Sequence, residues 1–292
     1  MTKLNYGLLT ITAEVKIIFK FKRKGILLIT FIGFSIVFLV SGLVNGLTTT
    51  KYIIHSRKIK SKIKIVLLSD LHSCSYGKSQ SQLIDRINDQ DPDIVMMAGD
   101  IADDVIPDNK VKELLDGIAK KYPCYYVTGN HEFWSNRVLE QKELFRSYGV
   151  NVLEGTFDTI SLNGQEISIC GVDDPDGAME NFDSQLNNAA KAVTDDKYTI
   201  LLSHRPELFA QYVEHNFDLV LSGHAHGGQW RIPFLLQNGL YSPNQGIFPK
   251  YTYGIHEQSN TKMLVSRGLS RESTPIPRFY NPPELVVINL EP

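Results

Sequence analysis

Three short apolar runs, each ending on a polar residue and set 30 residues apart, constrain this chain more than any other feature. Ile63–Leu68 leads into Ser69-Asp70, Ile94–Ala98 into Gly99-Asp100, and Tyr125–Val127 into Gly129-Asn130. Runs of this length and composition read as buried strands. Between them the periodicity becomes helical, around Leu83–Ile87 and Val111–Ala119. Such alternation implies parallel strands joined by crossover helices, an α/β fold. In these sheets ligand-binding residues collect where strands end, so Asp70, Asp100 and Asn130 are expected to converge.

The second half is richer in strand signals. Asn163-Gly164, between Ile160 and Ile167, marks a hairpin. Thr199–Leu202 and Leu219–Leu221 read as buried strands that end at Ser203-His204 and Ser222-Gly223-His224. Leu264–Ser266 and Leu285–Leu290 read as late strands, and Trp230 to His256, which has no clear period, as an irregular loop beside the site.

Ahead of this lies a different kind of segment. Gly25 to Leu47 carries no charged residue and as a helix would span roughly 34 Å, enough to cross a bilayer with some tilt. It is longer than the apolar part of a cleavable signal, and no small-x-small cleavage site follows it. The expected organisation is a basic N-terminal segment (1–24), a transmembrane anchor (25–47), a basic linker (48–60) and one catalytic domain (61–292). Lys16, Lys20, Lys22, Arg23 and Lys24 abut the anchor, whereas most of the basic residues after it stand farther off. That asymmetry favours a single-pass membrane protein with its N-terminus inside and its domain outside the cytoplasm.

Charge narrows the partners. Of the chain's 30 Lys or Arg and 32 Asp or Glu, residues 1–60 hold ten basic residues and one acid, Glu14. The remainder is strongly acidic, which disfavours polymeric nucleic acid. Cys74, Cys124 and Cys170 are too few for a disulfide framework.

Five motifs carry the chemistry: Asp70-Leu71-His72, Gly99-Asp100-Ile101-Ala102-Asp103, Gly129-Asn130-His131-Glu132, His204 in Leu-Ser-His-Arg, and Gly223-His224-Ala225-His226. They hold five of the eight histidines. His55, His215 and His256 lie outside them and read as ordinary structural residues. Imidazole together with carboxylate suits Mn, Fe, Co or Zn rather than Ca. Two such ions about 3.5–4 Å apart need a shared anion, and a water between them ionises near neutral pH into a nucleophile.

In these motifs, over residues 61–290, the sequence resembles the calcineurin-like metallophosphoesterases. Gly223-His-Ala-His-Gly-Gly-Gln229, Ser266-Arg-Gly-Leu269 and Pro282-Pro-Glu-Leu285 look like the bacterial membrane-associated branch, which includes phosphodiesterases and enzymes that cleave the pyrophosphate of a lipid A precursor. Its usual Thr is Ala225 here, a position expected to matter little for metal binding. The resemblance implies a four-layer α/β/β/α sandwich with a dimetal centre at one end. By position, Asp70, His72, Asp100 and His226 would hold one ion, and Asp100, Asn130, His204 and His224 the other. His131 would act on the phosphate, oriented by Asp103. The implied activity is hydrolysis of a phosphodiester, phosphomonoester or pyrophosphate by a metal-bound hydroxide, with a lipid-linked or envelope substrate among the candidates. A small-nucleotide phosphodiesterase of the same superfamily and a non-catalytic metal-binding scaffold are the alternatives. Turnover of a chromogenic phosphodiester separates enzyme from scaffold.

Weaker signals are Arg205, Arg267 and Arg271, which could fork onto a phosphate or form ion pairs, and Trp230 to Leu236, an apolar loop that could meet a lipid or pack on the core.

Overall fold

Period-two alternation along the strands builds the molecule. The computed structural model describes residues 4–44, 46–178, 181–271 and 277–292. Residues 1–3 of the basic segment and Asn45 of the apolar stretch lie outside the described residues. The chain forms two compact units, Met1–Val44 and Asn45–Pro292.

The first unit is one helix, α1 (Leu4–Leu43), of which Lys24–Leu43 is long and apolar enough to cross a membrane. It stops short of the expected Leu47, because Gly42 and Gly46 are poor helix formers.

In the second unit the elements follow in chain order. The first part holds β1 (Thr48–His55), β2 (Ile63–Leu68), α2 (Ser81–Asn88), β3 (Ile94–Ala98), α3 (Asn109–Ile118), β4 (Cys124–Val127), α4 (Asn130–Trp134), α5 (Val138–Ser147) and β5 (Asn151–Val152). Next come β6 (Thr156–Leu162), β7 (Gln165–Gly171), α6 (Pro175–Ala178), α7 (Phe182–Ala189), β8 (Tyr198–Leu202), α8 (Phe209–Glu214) and β9 (Leu219–Ser222). Five strands close the chain: β10 (Tyr241–Ser242), β11 (Gly246–Ile247), β12 (Gly254–Gln258), β13 (Thr261–Val265) and β14 (Glu284–Glu291).

One six-stranded sheet has the order β1-β14-β2-β3-β4-β5 and the other β12-β13-β9-β8-β7-β6. Alternate residues of each point to a shared core: Ile65, Leu67 and Met96 from the first sheet meet Ile169, Ile200 and Leu221 from the second. The intervening residues face outward. Val66, Val95 and Tyr126 pack on α2, α3 and α5, while Leu201 and Val220 pack on α7 and α8. The result is the expected α/β/β/α sandwich, its central strands β2, β3, β4, β8 and β9 buried on both faces as continuous apolar runs require.

The Asn163-Gly164 hairpin forms, with φ positive at both residues (49° and 79°), as a two-residue turn matched to strand twist demands. Residues 48–55, expected as linker, instead form β1, paired in parallel with β14 from Thr48↔Glu284 to His55↔Glu291. The basic charges drew attention from a run of β-branched and aromatic residues, Thr48-Thr49-Thr50 and Tyr52-Ile53-Ile54, that suits a strand. The stretch from Trp230 to His256 is largely irregular but contains the short β10–β11 hairpin and begins β12. Cys74, Cys124 and Cys170 are buried and unbonded to one another.

Candidate metal centre

Parallel pairing of β2, β3 and β4 aligns their C-terminal ends, and β8 and β9 do the same in the other sheet. The polar residues that follow each strand therefore meet in one place. The turns that carry them are tight. Asp70, His72, Asp100, His224 and His226 all have φ between 46° and 65°, a region non-glycine residues occupy at a cost and keep mainly at functional sites. Gly223 is required by proximity, since a Cβ there would overlap the Asp70 carboxylate.

Two ligand clusters result. Asp70, His72 and His226 offer atoms within 4.8 Å of one another, and so do Asp100, His204 and His224. The Asp100 Oδ2 atom lies 3.1 Å from His204 Nε2 and 3.6 Å from His72 Nε2, so one oxygen reaches nitrogens of both clusters. Asp70 Oδ1 is 3.4 Å from His226 Nε2. The outer ring nitrogens are held from behind: His204 Nδ1 donates to the Ala98 carbonyl (2.8 Å), His72 Nδ1 to Asp103 Oδ2 (3.2 Å), and His226 Nδ1 pairs with Ser270 Oγ (2.8 Å). Such partners fix ring orientation and tautomer.

The donors fit metal ions. Asp70 Oδ2, His72 Nε2 and Asn130 Oδ1 are buried without a hydrogen-bond partner, an arrangement a protein interior rarely tolerates unless another group satisfies them. Electrostatics agree. Burial opposes ionisation of Asp100, but His204 and His72 outweigh it and hold the carboxyl well below its usual range. Burial alone would depress His204, yet Asp100 and Asp70 push it up to about 10. Burial pushes Asp70 up, and it holds His224 and His226 well below the usual imidazole range, which favours their neutral forms. A positive charge between these two carboxylates is one that a divalent cation would supply.

His131 lies beside this set at the edge of a cleft of about 270 Å³ that Asp100, Asn130, Trp134, Tyr241 and Asn244 also line. Its expected partner is corrected. His131 Nδ1 is 2.7 Å from Asp104 Oδ1 and 3.8 Å from Asp103 Oδ2. Asp103 instead turns to His72, because its Oδ1 accepts the backbone N–H groups of Val105 and Ile106.

Several contributors escaped the sequence reading. Glu132, fully buried, accepts the N–H groups of Gly129 (2.7 Å), Asp100 (3.0 Å) and Ala102 (3.0 Å), tying the loop after β3 to the start of α4. Burial and the Asp100 charge push it up to about 7. Its place in Gly129-Asn130-His131-Glu132 was a signal. Asn244, whose Oδ1 is 2.9 Å from His224 Nε2, sits in a stretch with no pattern to reveal it. Each of the three arginines has a partner within the protein. Arg205 is buried and forks onto Asp174 (2.6 and 2.8 Å), Arg267 pairs with Glu284 (3.0 Å), and Arg271 lies over the Tyr76 ring.

Residues 63–228 match the model of the calcineurin-like phosphoesterase family. An uncharacterized metallophosphoesterase of Helicobacter pylori (strain ATCC 700392 / 26695) is 31% identical over 255 residues, 82% of this chain and 62% of that protein. The metallophosphoesterase YkuE of Bacillus subtilis (strain 168) is 30% identical over 254 residues, 83% of this chain and 85% of that one. A Danio rerio protein named as a transmembrane protein with a metallophosphoesterase domain is 30% identical over 209 residues, covering 65% of this chain and 47% of its own length. The chain thus spans under two thirds of the Helicobacter relative it matches. With its His and Asp clusters at the strand ends, the chain belongs to the calcineurin-like phosphoesterases, hydrolases of phosphoester bonds.

Proposed function

We propose that the chain hydrolyses phosphoesters at a dinuclear centre of Mn, Fe, Zn or Co ions, held at the membrane by α1 with the domain outside the cytoplasm. Asp70, His72 and His226 would hold one ion, Asn130, His204 and His224 the other, and Asp100 would belong to both. The observation that carries this is the position of Asp100 Oδ2 between His204 Nε2 and His72 Nε2. Bound there, the ions would supply Lewis acidity toward the phosphoryl oxygens and a water acidic enough to attack phosphorus. The chain's own residues do the rest. Neutral His224 and His226 donate lone pairs. His131, projecting into the cleft, is placed to meet the leaving-group oxygen with a proton, and Asp104 orients its ring. The transmembrane name of the zebrafish relative and the apolar span Lys24–Leu43 support the anchor, and the Lys20–Lys24 cluster supports the orientation. A lipid-linked or envelope phosphoester is the substrate class this siting favours.

The test is metal content and turnover of a chromogenic phosphodiester by the intact protein, with each of the four metals supplied in turn. Two ions per chain and metal-dependent turnover are expected. Asp100→Asn should lower both occupancies together, because the shared charge is lost. One ion or none under metal-replete conditions overturns the dinuclear reading.

A further inference from the structure

The loop after the last metal motif does not pack on the core. Phe234 is 96% and Leu235 80% exposed, and on the neighbouring β10–β11 hairpin Ile247 is 69% and Phe248 70% exposed. Leu235 and Phe248 line one shallow hollow together with Gln237 and Asn238, so the two apolar tips stand side by side. Large apolar side chains this exposed and this close together are uncommon on a soluble domain and mark a contact surface.

Topology says what covers it. β14 runs antiparallel to β2 in a register that brings Glu284 to the Ser69 end, the end that carries the ligands. Thr48 pairs with Glu284, so β1 starts at the ligand end of the sheet. Only residues 44–47 separate Thr48 from the end of α1, a reach of roughly 18 Å at full extension. Arg267 donates to Thr48 Oγ1 and, on its other side, shares a pocket with Ile232 and Leu236 of the apolar loop. The same loop walls the metal cleft through Tyr241, which pairs with Ile247 in the hairpin. Tether point, apolar tips and cleft mouth are therefore continuous on one end of the domain.

We infer that Phe234, Leu235, Ile247 and Phe248 dock this end of the domain onto the lipid bilayer in which α1 is anchored, so that the cleft opens at headgroup depth. A tether this short keeps the domain at the bilayer surface, where exposed apolar tips are driven into the acyl boundary and aromatic side chains settle at the interface. The inference rests on the anchor and is independent of the phosphoesterase chemistry.

The chain's two tryptophans, Trp134 and Trp230, both lie on this end, at the cleft and at the base of the loop, and the apolar span contains none. The full chain, reconstituted in phosphatidylcholine vesicles, therefore reports on docking without a label. An interfacial loop sits about 5–10 Å into the headgroup region, so lipids brominated high on the acyl chain should quench tryptophan emission roughly twofold. Phe234→Asp/Leu235→Asp, and separately Phe248→Asp, should remove most of the quenching while the protein still floats with the vesicles. These side chains are exposed, so near-ultraviolet circular dichroism and metal content should match the wild type. Unquenched emission from wild-type protein that floats with the vesicles overturns the docking, as does quenching that both variants retain. Self-association in detergent with no quenching in vesicles would assign the surface to a second copy instead. Failure to float after an alkaline wash would remove the anchor and the inference with it, whatever the turnover.

Discussion

His131 and Asp104 form the closest imidazole–carboxylate pair at the site, 2.7 Å between Nδ1 and Oδ1, while Oδ2 of the neighbouring Asp103 lies nearer His72 Nδ1 (3.2 Å) than His131 Nδ1 (3.8 Å). Two adjacent carboxylates thus hold different rings, one that of the proposed general acid and the other that of a proposed metal ligand. Asp104→Asn should lower kcat on an alkyl phosphoester by about 10²-fold, within the usual range for general-acid help, and barely alter a nitrophenyl ester or metal content. Asp103→Asn should weaken metal binding about 10–100-fold, the typical cost of losing a carboxylate behind a ligand. Metal titration and the two substrates together separate the variants; identical behaviour would refute the division of labour.

That pairing was not legible in the sequence, while the convergence of the strand-end residues was. Asp70, Asp100 and Asn130 announced themselves because each closes an apolar run of strand length, and parallel pairing then leaves little freedom about where they meet. Which of Asp103 and Asp104 faces His131 depends on the turn between Ala102 and Ile106, where backbone N–H groups claim one oxygen of Asp103. No periodicity encodes that choice. Asn244 is harder still, since its segment has no pattern and the residue is placed by contacts with Arg205 and His224, distant in sequence.

Glu132 should prove more structural than chemical. It is the buried acceptor for three backbone N–H groups that shape the turns presenting Asp100 and Asn130. In Glu132→Gln one acceptor oxygen becomes an amide NH2 facing donors, so at least one buried N–H is left unpaired at a cost of about 1–3 kcal/mol. Lower chemical stability in urea, together with weaker binding of metal, is the expected pair of results. A variant as stable as wild type would mean that the turns hold without it.

Removing metal should destabilise the whole domain. The proposed ligands follow β2, β3, β4, β8 and β9, so ions held by them would bind the folded state alone. An ion present at 1,000 times its Kd adds about 4 kcal/mol, which in a domain of this size corresponds to a midpoint shift on the order of 10 °C. Calorimetry before and after chelation, with re-addition of Mn or Zn, measures it. No shift on chelation of protein known to carry metal would contradict the placement of the ligands across both sheets.

The strand that the basic residues concealed gives a test of domain extent. β1 covers the outer edge of β14 along its full length, and Ile54 reaches the core between the sheets. A chain beginning at Ser61 would lose both contributions. Burial of Ile54 alone is worth about 2–3 kcal/mol, and β14, Glu284 to Glu291, would become an exposed edge with unpaired N–H and C=O groups. Such an edge invites pairing with another chain. The expected outcome is that a protein beginning at Gly46 is soluble and monomeric, whereas one beginning at Ser61 has a lower thermal midpoint and forms aggregates. Light scattering and calorimetry on the two compare them directly. Because Thr48 also receives Arg267 beside Glu284, the shorter chain should lose order in the loop that follows β13, which packs Gly268 against Asp70. Metal affinity should fall with stability, and equal affinity in the two proteins would show that the edge strand supports the sheet without reaching the site.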